Sequence, residues 1–321
     1  MSCIAWEELL KSNVEVMSSA FKTDGNDLKI LGAFLCSAYE QVADSNRINE
    51  CKSILKDRFG ALSEFRGNLQ VPLIVKMSLS DNPSEYLNRV SGIYEELSAG
   101  YKMGNDMRLL AAIILCDNTT YDNQSRVCEL TGKIYESMKE DHKILSGQND
   151  LPFAALMSIQ NDDDGHMLEC AEECYGLLTQ TFKHSKKDML NVSRILSFGD
   201  ISANESVESF VKMYDALKTN KLEIKGMQMT ILSVLVNLGL DVDEAVSQIA
   251  SNDKMLMDIK GFHGAFGLSS VNRRMYAAAI TALNNSTQDT IVEGTVASSV
   301  MSVILSVEMV AIMFLYIPVV S

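Results

Sequence analysis

Proline and aromatic residues are scarce in this chain: four prolines, one tryptophan and 7% aromatics in 321 residues. An all-β protein needs turn residues every ~8–12 positions, and four prolines with 18 glycines do not supply them. Positive charge is also short, 28 Lys+Arg against 42 Asp+Glu, for a net charge of −14. Phosphate contacts need a basic surface, so nucleic acid is excluded as the main partner. A disulfide framework is missing too, because the seven cysteines are odd in number and scattered through apolar stretches. Glu7 and Glu8 stand where a signal peptide would carry a basic region and a long apolar run. These absences predict a reducing, cytoplasmic setting.

What the chain has is apolar content, 47% of all residues, which rules out a disordered polymer. At this length a folded chain buries roughly 75% of its unfolded surface. The apolar residues recur with a helical period. Tyr94, Tyr135, Tyr175 and Tyr214 are spaced 41, 40 and 39 residues apart, each preceded by an apolar residue (Ile93, Ile134, Cys174, Met213). Each sits in an amphipathic segment such as Leu87, Val90, Ile93/Tyr94, Leu97, with one wet face and one dry stripe. Between them lie more apolar segments at 28–36, 107–116, 151–159, 189–197 and 227–238, with further ones expected at 71–79 and 271–283. Asp27, Asp106, Asp150 and Asp188 precede four of these and are expected to cap them.

Pairs of an amphipathic and an apolar helix bury the apolar member only by stacking on neighbours. The expected fold is therefore all-α: six or seven stacked helical hairpins with a period of ~40, an α-solenoid of the HEAT or armadillo kind. A compact helical bundle is the alternative. Linkers are short and polar, so residues 1–294 read as one helical-repeat domain, with 295–321 as a separate hydrophobic C-terminal helix.

Several clusters invite a chemical reading. His166, Cys170 and Cys174 share a helix face and could offer nitrogen and sulfur to zinc, with His184 nearby. Yet positions equivalent to Cys174 in the other segments are core residues, so packed thiols are expected and no metal site. The run Asn161-Asp162-Asp163-Asp164-Gly165 fails as a calcium loop, because the twelfth position would be Ala171, which has no side-chain oxygen. A charged helix start accounts for it. The one glycine-dense stretch, 261–270, leads into a helix bearing Arg273 and Arg274. With His263 and Ser270 these form a weak ligand-site candidate, since helix-start amides and guanidinium groups can hold an anion. Ser270 is the expected cap of that helix. Catalytic signatures of the H-E-x-x-H or G-x-S-x-G kind are absent, so no catalytic residue, cofactor or metal is assigned and an enzyme is disfavoured.

The stretch Ile195-Leu196-Ser197-Phe198-Gly199-Asp200, then Phe210, Tyr214 and Leu217, then Gly226-Met227-Gln228 and 231–235, resembles the bacterial family known as domain of unknown function 4003. The resemblance implies a bacterial helical protein and no activity.

Residues 296–320 carry a single charge, Glu308, and are long enough to cross a hydrocarbon layer of ~30 Å. The central acid and the serines bring insertion near break-even, and no Lys or Arg flanks the segment to orient it. Ser298, Ser302 and Ser306 form a small-residue stripe that suits either a packed cap on the helical domain or a membrane contact. The functional expectation is a scaffold for a protein or peptide, an acidic surface favouring a basic partner. The alternatives are a membrane-associated bacterial protein held by its tail and an enzyme or small-ligand protein with a pocket near 261–274.

Overall fold

The computed structural model describes residues 3–98, 105–160, 165–183 and 185–286. These form fourteen α-helices and no strand. They come in consecutive pairs: α1 (Cys3–Ala20) with α2 (Asn26–Ala38), α3 (Ser45–Arg58) with α4 (Gln70–Leu79), and α5 (Pro83–Glu96) with α6 (Asn105–Asn118). The next pairs are α7 (Gln124–Asp141) with α8 (Leu151–Ser158), and α9 (His166–Thr181) with α10 (Lys186–Leu196). The last are α11 (Ala203–Thr219) with α12 (Thr230–Asn237), and α13 (Val242–Met257) with α14 (Ser270–Asn285). Within every pair the two helices pack on each other.

The odd-numbered helices bury one stripe. In α5, Leu87, Val90 and Ile93 are buried while Glu85 and Glu95 face water. The even-numbered helices bury every face. Residues 30–37, 71–77, 109–116, 151–158, 189–196, 230–236 and 275–282 are unbroken buried runs. Seven successive residues cover almost two helical turns, so no side of these helices is left to solvent.

Their alignment is parallel, as the side-chain ties at both ends show. At their starts Gln228 donates to Asn272 (3.1 Å) and Lys187 to Asp150 (2.5 Å). Near their ends Asn237 donates to the Ile195 carbonyl (2.6 Å), and Lys76 pairs with Asp117 (2.6 Å).

The last hairpin returns to the first. α13 packs on α1, and Trp6 Nε1 donates to Asn284 Oδ1 (2.9 Å). Phe34 stacks 5.6 Å from Trp6 and meets Tyr276 at a tilt, 4.8 Å away. Asn26 Nδ2 donates to the Gly261 carbonyl (3.0 Å). An open stack leaves its end hairpins and one face of its inner helices in water. Here the last hairpin packs on the first, so the hairpins close into a ring with the even-numbered helices inside, which is compatible with the compact-bundle alternative.

The tyrosines that first suggested a repeat lie on α5, α7, α9 and α11. Three of the four rings meet an aromatic ring carried by the crossover of the preceding hairpin: Tyr94 meets Phe65 (5.2 Å), Tyr175 meets His142 (4.8 Å) and Tyr214 meets Phe182 (5.2 Å).

The aspartates expected as caps sit elsewhere. Gly25 precedes α2 and Ser185 caps α10, with Asp27 and Asp188 inside the first turns; Asp106 likewise lies in the first turn of α6. These helices start two or three residues earlier than the apolar pattern does, and the positive helix end still favours a carboxylate there. Asp150 is fully buried at the start of α8, where it accepts from Arg194 (2.7 Å), Lys187 and the Gly147 amide (2.7 Å). Burial alone would raise its pKa; the two cations outweigh that and hold it below the ordinary carboxylate value.

Candidate functional site

Parallel hairpins give the ring two unlike ends. One carries the connections from odd to even helices, the other the returns from even to odd. The return segments hold Glu40, Asp44, Asp81, Asp122, Asp200 and Asp241, all exposed, and no Lys or Arg stands at 39–44, 80–82, 119–123, 197–202 or 238–241. Part of this is helix electrostatics, since the odd-numbered helices start here and carboxylates favour helix starts.

At that acidic end a groove of about 700 Å³ opens between the first two turns of α9 and the segment joining α10 to α11. Glu169, Glu173 and Asp200 are exposed on its walls, and Met167, Phe198 and Ile201 supply apolar lining. Its geometry follows from local sequence. Gly165, at φ 76°, occupies the left-handed region that favours glycine and starts α9. Ser202 and Glu205 close a reciprocal capping box that sets where α11 begins. Gly199 lies so close to Asn237 that a Cβ would stand 2.9 Å from its Oδ1, so the turn between them admits no larger residue without a shift.

His166 and Cys170 both line this groove, whereas Cys174 points into the core beside the Ala203 carbonyl. Burial pushes the Cys174 thiol up to about 12 and raises that of Cys170 as well. Among the described residues no group of three or more His, Cys, Asp or Glu is placed to hold a metal ion. Residues 162–164 and His184 lie outside the described residues.

The 261–274 candidates are dispersed. His263 and Ser270 are exposed. Ser269, one residue earlier than expected, caps α14 by accepting from the Asn272 amide, because the helix turn begins before the apolar pattern does. Arg273 is buried and forms a two-pronged pair with Asp253 (2.8 and 3.3 Å), and Arg274 donates to the Glu223 carbonyl (3.1 Å). Both guanidinium groups are thus engaged by protein oxygens. The glycine density serves the seam of the ring: Gly261, at φ 93°, lies where a Cβ would stand 2.9 Å from both Asn26 Oδ1 and Ile30 Cδ1. Phe262 packs edge-on against Tyr276 at 5.6 Å.

Sequence reasoning missed Glu169, Glu173 and Asp200 as partners because α9 and the α10–α11 turn meet only in space. The legible signal was the absence of cations from every segment returning from an apolar helix. The 295–321 helix and the 296–320 membrane reading lie outside the described residues. Among the described residues no helix is long and apolar enough to cross a membrane.

Comparison with known proteins adds a family and no activity. The family model described as "Protein of unknown function (DUF4003)" matches residues 13–309. A curated relative, "Uncharacterized protein YeaA" of Bacillus subtilis (strain 168), is 24% identical over 199 residues, covering 61% of this chain and 60% of that protein. The chain thus aligns with less than two thirds of that relative's length. No solved structure matches.

Proposed function

Because the chain belongs to the DUF4003 family of proteins of unknown function, we propose from its geometry alone that it is a non-enzymatic binding protein. In this reading the acidic groove holds a lysine- or arginine-bearing peptide segment of a partner. One observation carries it: Glu169, Glu173 and Asp200 stand on the walls of a groove also lined by Met167, Phe198 and Ile201. A cationic side chain has a long aliphatic stem and a charged head, and both find a match there. The hairpins are read as copies of one module, supported by the like surroundings of Tyr94, Tyr175 and Tyr214. A cytoplasmic setting belongs to the same proposal, since Cys36, Cys51, Cys116, Cys128 and Cys174 are free and buried.

Fluorescence anisotropy with a labelled arginine-rich peptide tests the proposal. Binding is expected at low salt and should fade as salt screens the carboxylates. The Glu169→Lys/Glu173→Lys/Asp200→Lys variant should weaken it roughly tenfold or more. Equal affinity of that variant, or no binding by the natural chain, rejects the groove.

A further inference from the structure

The other end of the ring has the opposite character. Its connections carry Lys22, Lys143, Lys183, Lys221, Lys225 and Lys260, all exposed. Among the described residues of these connections, Asp258 is exposed and Asp24, Glu64 and Glu223 are half-buried, and Glu140 and Asp141 end α7 exposed beside Lys143. Part of this too is helix electrostatics: Lys22, Lys143, Lys183, Lys221 and Lys260 lie just past the ends of the odd-numbered helices, where a helix favours cations. Lys186, also exposed, is the first residue of α10 itself.

The same end holds a second, independent feature. Leu62, Ile144 and Phe266 each sit on a different connection, between α3 and α4, α7 and α8, and α13 and α14. Their side chains are 102%, 97% and 93% exposed, more than any other large apolar residue described. Single exposed apolar residues are ordinary on a protein surface. Three that are fully extended into water, on separate loops of one end and among lysines, form a pattern.

We infer that this end is a docking face for an anionic lipid surface. Charge complementarity selects the occupant: each basic side chain near an anionic bilayer adds to the attraction, whereas the acidic end would be repelled. The arrangement also favours lipid over a folded acidic protein. A protein interface has a contiguous apolar core inside a polar rim. Here the apolar tips are separated by charge, which suits a fluid surface that each tip can enter on its own while lysines stay at the headgroups. The ring would then stand on the membrane with its acidic groove facing away from it. This attachment uses none of the tail at 296–320, and it does not depend on the peptide reading of the groove.

The test is flotation of the full chain with vesicles of phosphatidylcholine and phosphatidylglycerol in equal parts, against phosphatidylcholine alone. The chain should float with the anionic vesicles at low salt and remain unbound with the neutral ones. Leu62→Ser/Ile144→Ser/Phe266→Ser and, separately, Lys183→Glu/Lys186→Glu/Lys221→Glu should each reduce the bound fraction at least about tenfold. All six positions are at the surface, so unchanged circular dichroism is expected for both variants. Phe266→Trp adds a reporter distinct from the buried Trp6, and its emission should shift to the blue on anionic vesicles. No flotation of the natural chain overturns the inference, as does flotation that both variants retain, which would move the contact elsewhere. Binding of an acidic polypeptide in place of vesicles overturns it in favour of a protein partner.

Discussion

The even-numbered helices and the odd-numbered helices divide the work of this fold unequally. The first bury every face along their middles, and their buried charges are matched: Lys76 on Asp117, Arg194 on Asp150, Arg273 on Asp253. Burial alone would lower the pKa of Lys76, but Asp117 and the Tyr39 phenol more than offset it and raise the ammonium above its ordinary value. The second set keeps one face in water, where charged pairs such as Lys133 with Glu129 are exposed on both sides. The difference teaches that sensitivity to substitution is a property of the ring a residue belongs to, more than of its chemical type.

The sharpest test of that contrast is Asp150→Asn. Arg194 would be left buried without its anion, which costs about 3–5 kcal/mol. A urea denaturation midpoint reads this, and Arg194→Met added to Asp150→Asn should recover much of the loss. The pH dependence follows with a definite sign. The folded pKa of Asp150 lies below its unfolded value, so its contribution is complete above the ordinary value of about 3.9 and fades as pH falls through the lower folded value. The single variant should show a flatter acid limb than the natural chain.

Phe34→Ala probes the closing seam and is expected to cost about 3–5 kcal/mol. Trp6 is the one tryptophan of the chain and sits 5.6 Å from Phe34, so its emission reports the seam directly. In the natural protein the fluorescence and circular-dichroism transitions should coincide, because a closed ring has no free end from which to unravel. Separate transitions would return the molecule to an open stack, whose hairpins unfold stepwise.

On the outer set, Asp241→Ala removes the cap that accepts from the Asp243 and Glu244 amides at the start of α13, for an expected loss of about 1 kcal/mol by the same denaturation assay. Smallest of all, Glu129→Ala should leave the midpoint unchanged within error, since an ion pair exposed on both sides contributes little. Thiol labelling sharpens the contrast at the chemical level. Cys36 and Cys116, on the even-numbered helices, have thiols pushed up to about 12 by burial, so Cys170, half-buried beside the groove, should react well before them.

Much of the architecture was legible because apolar spacing reports burial directly. The unbroken apolar run at 109–116 marks a helix covered on all sides, and Tyr94, Tyr135, Tyr175 and Tyr214 lie on four successive outer helices. Capping was harder to read. Asp27, Asp106 and Asp188 look like caps because acids favour helix starts generally, and only the backbone reveals that each helix begins earlier. The groove was not legible, because Asp200 and Glu169 are far apart in the chain and gain meaning only where α9 faces the turn before α11. The pairing of Arg273 was hidden for the converse reason: nothing local in the sequence says that Asp253, one helix earlier, lies beside it.

The sequence by itself determined the elements. Helical period, the scarcity of turn residues and the pairing of half-wet with dry helices follow from local sterics and from the need to remove apolar surface from water. Tertiary structure decided the closure of the ring and the segregation of charge between its ends. Closure depends on Trp6, Phe34 and Phe262 meeting Tyr276 and Asn284 across almost the whole described chain, contacts whose value no local pattern encodes. Segregation exists only because seven hairpins lie parallel, so that scattered lysines and aspartates add into two opposed faces.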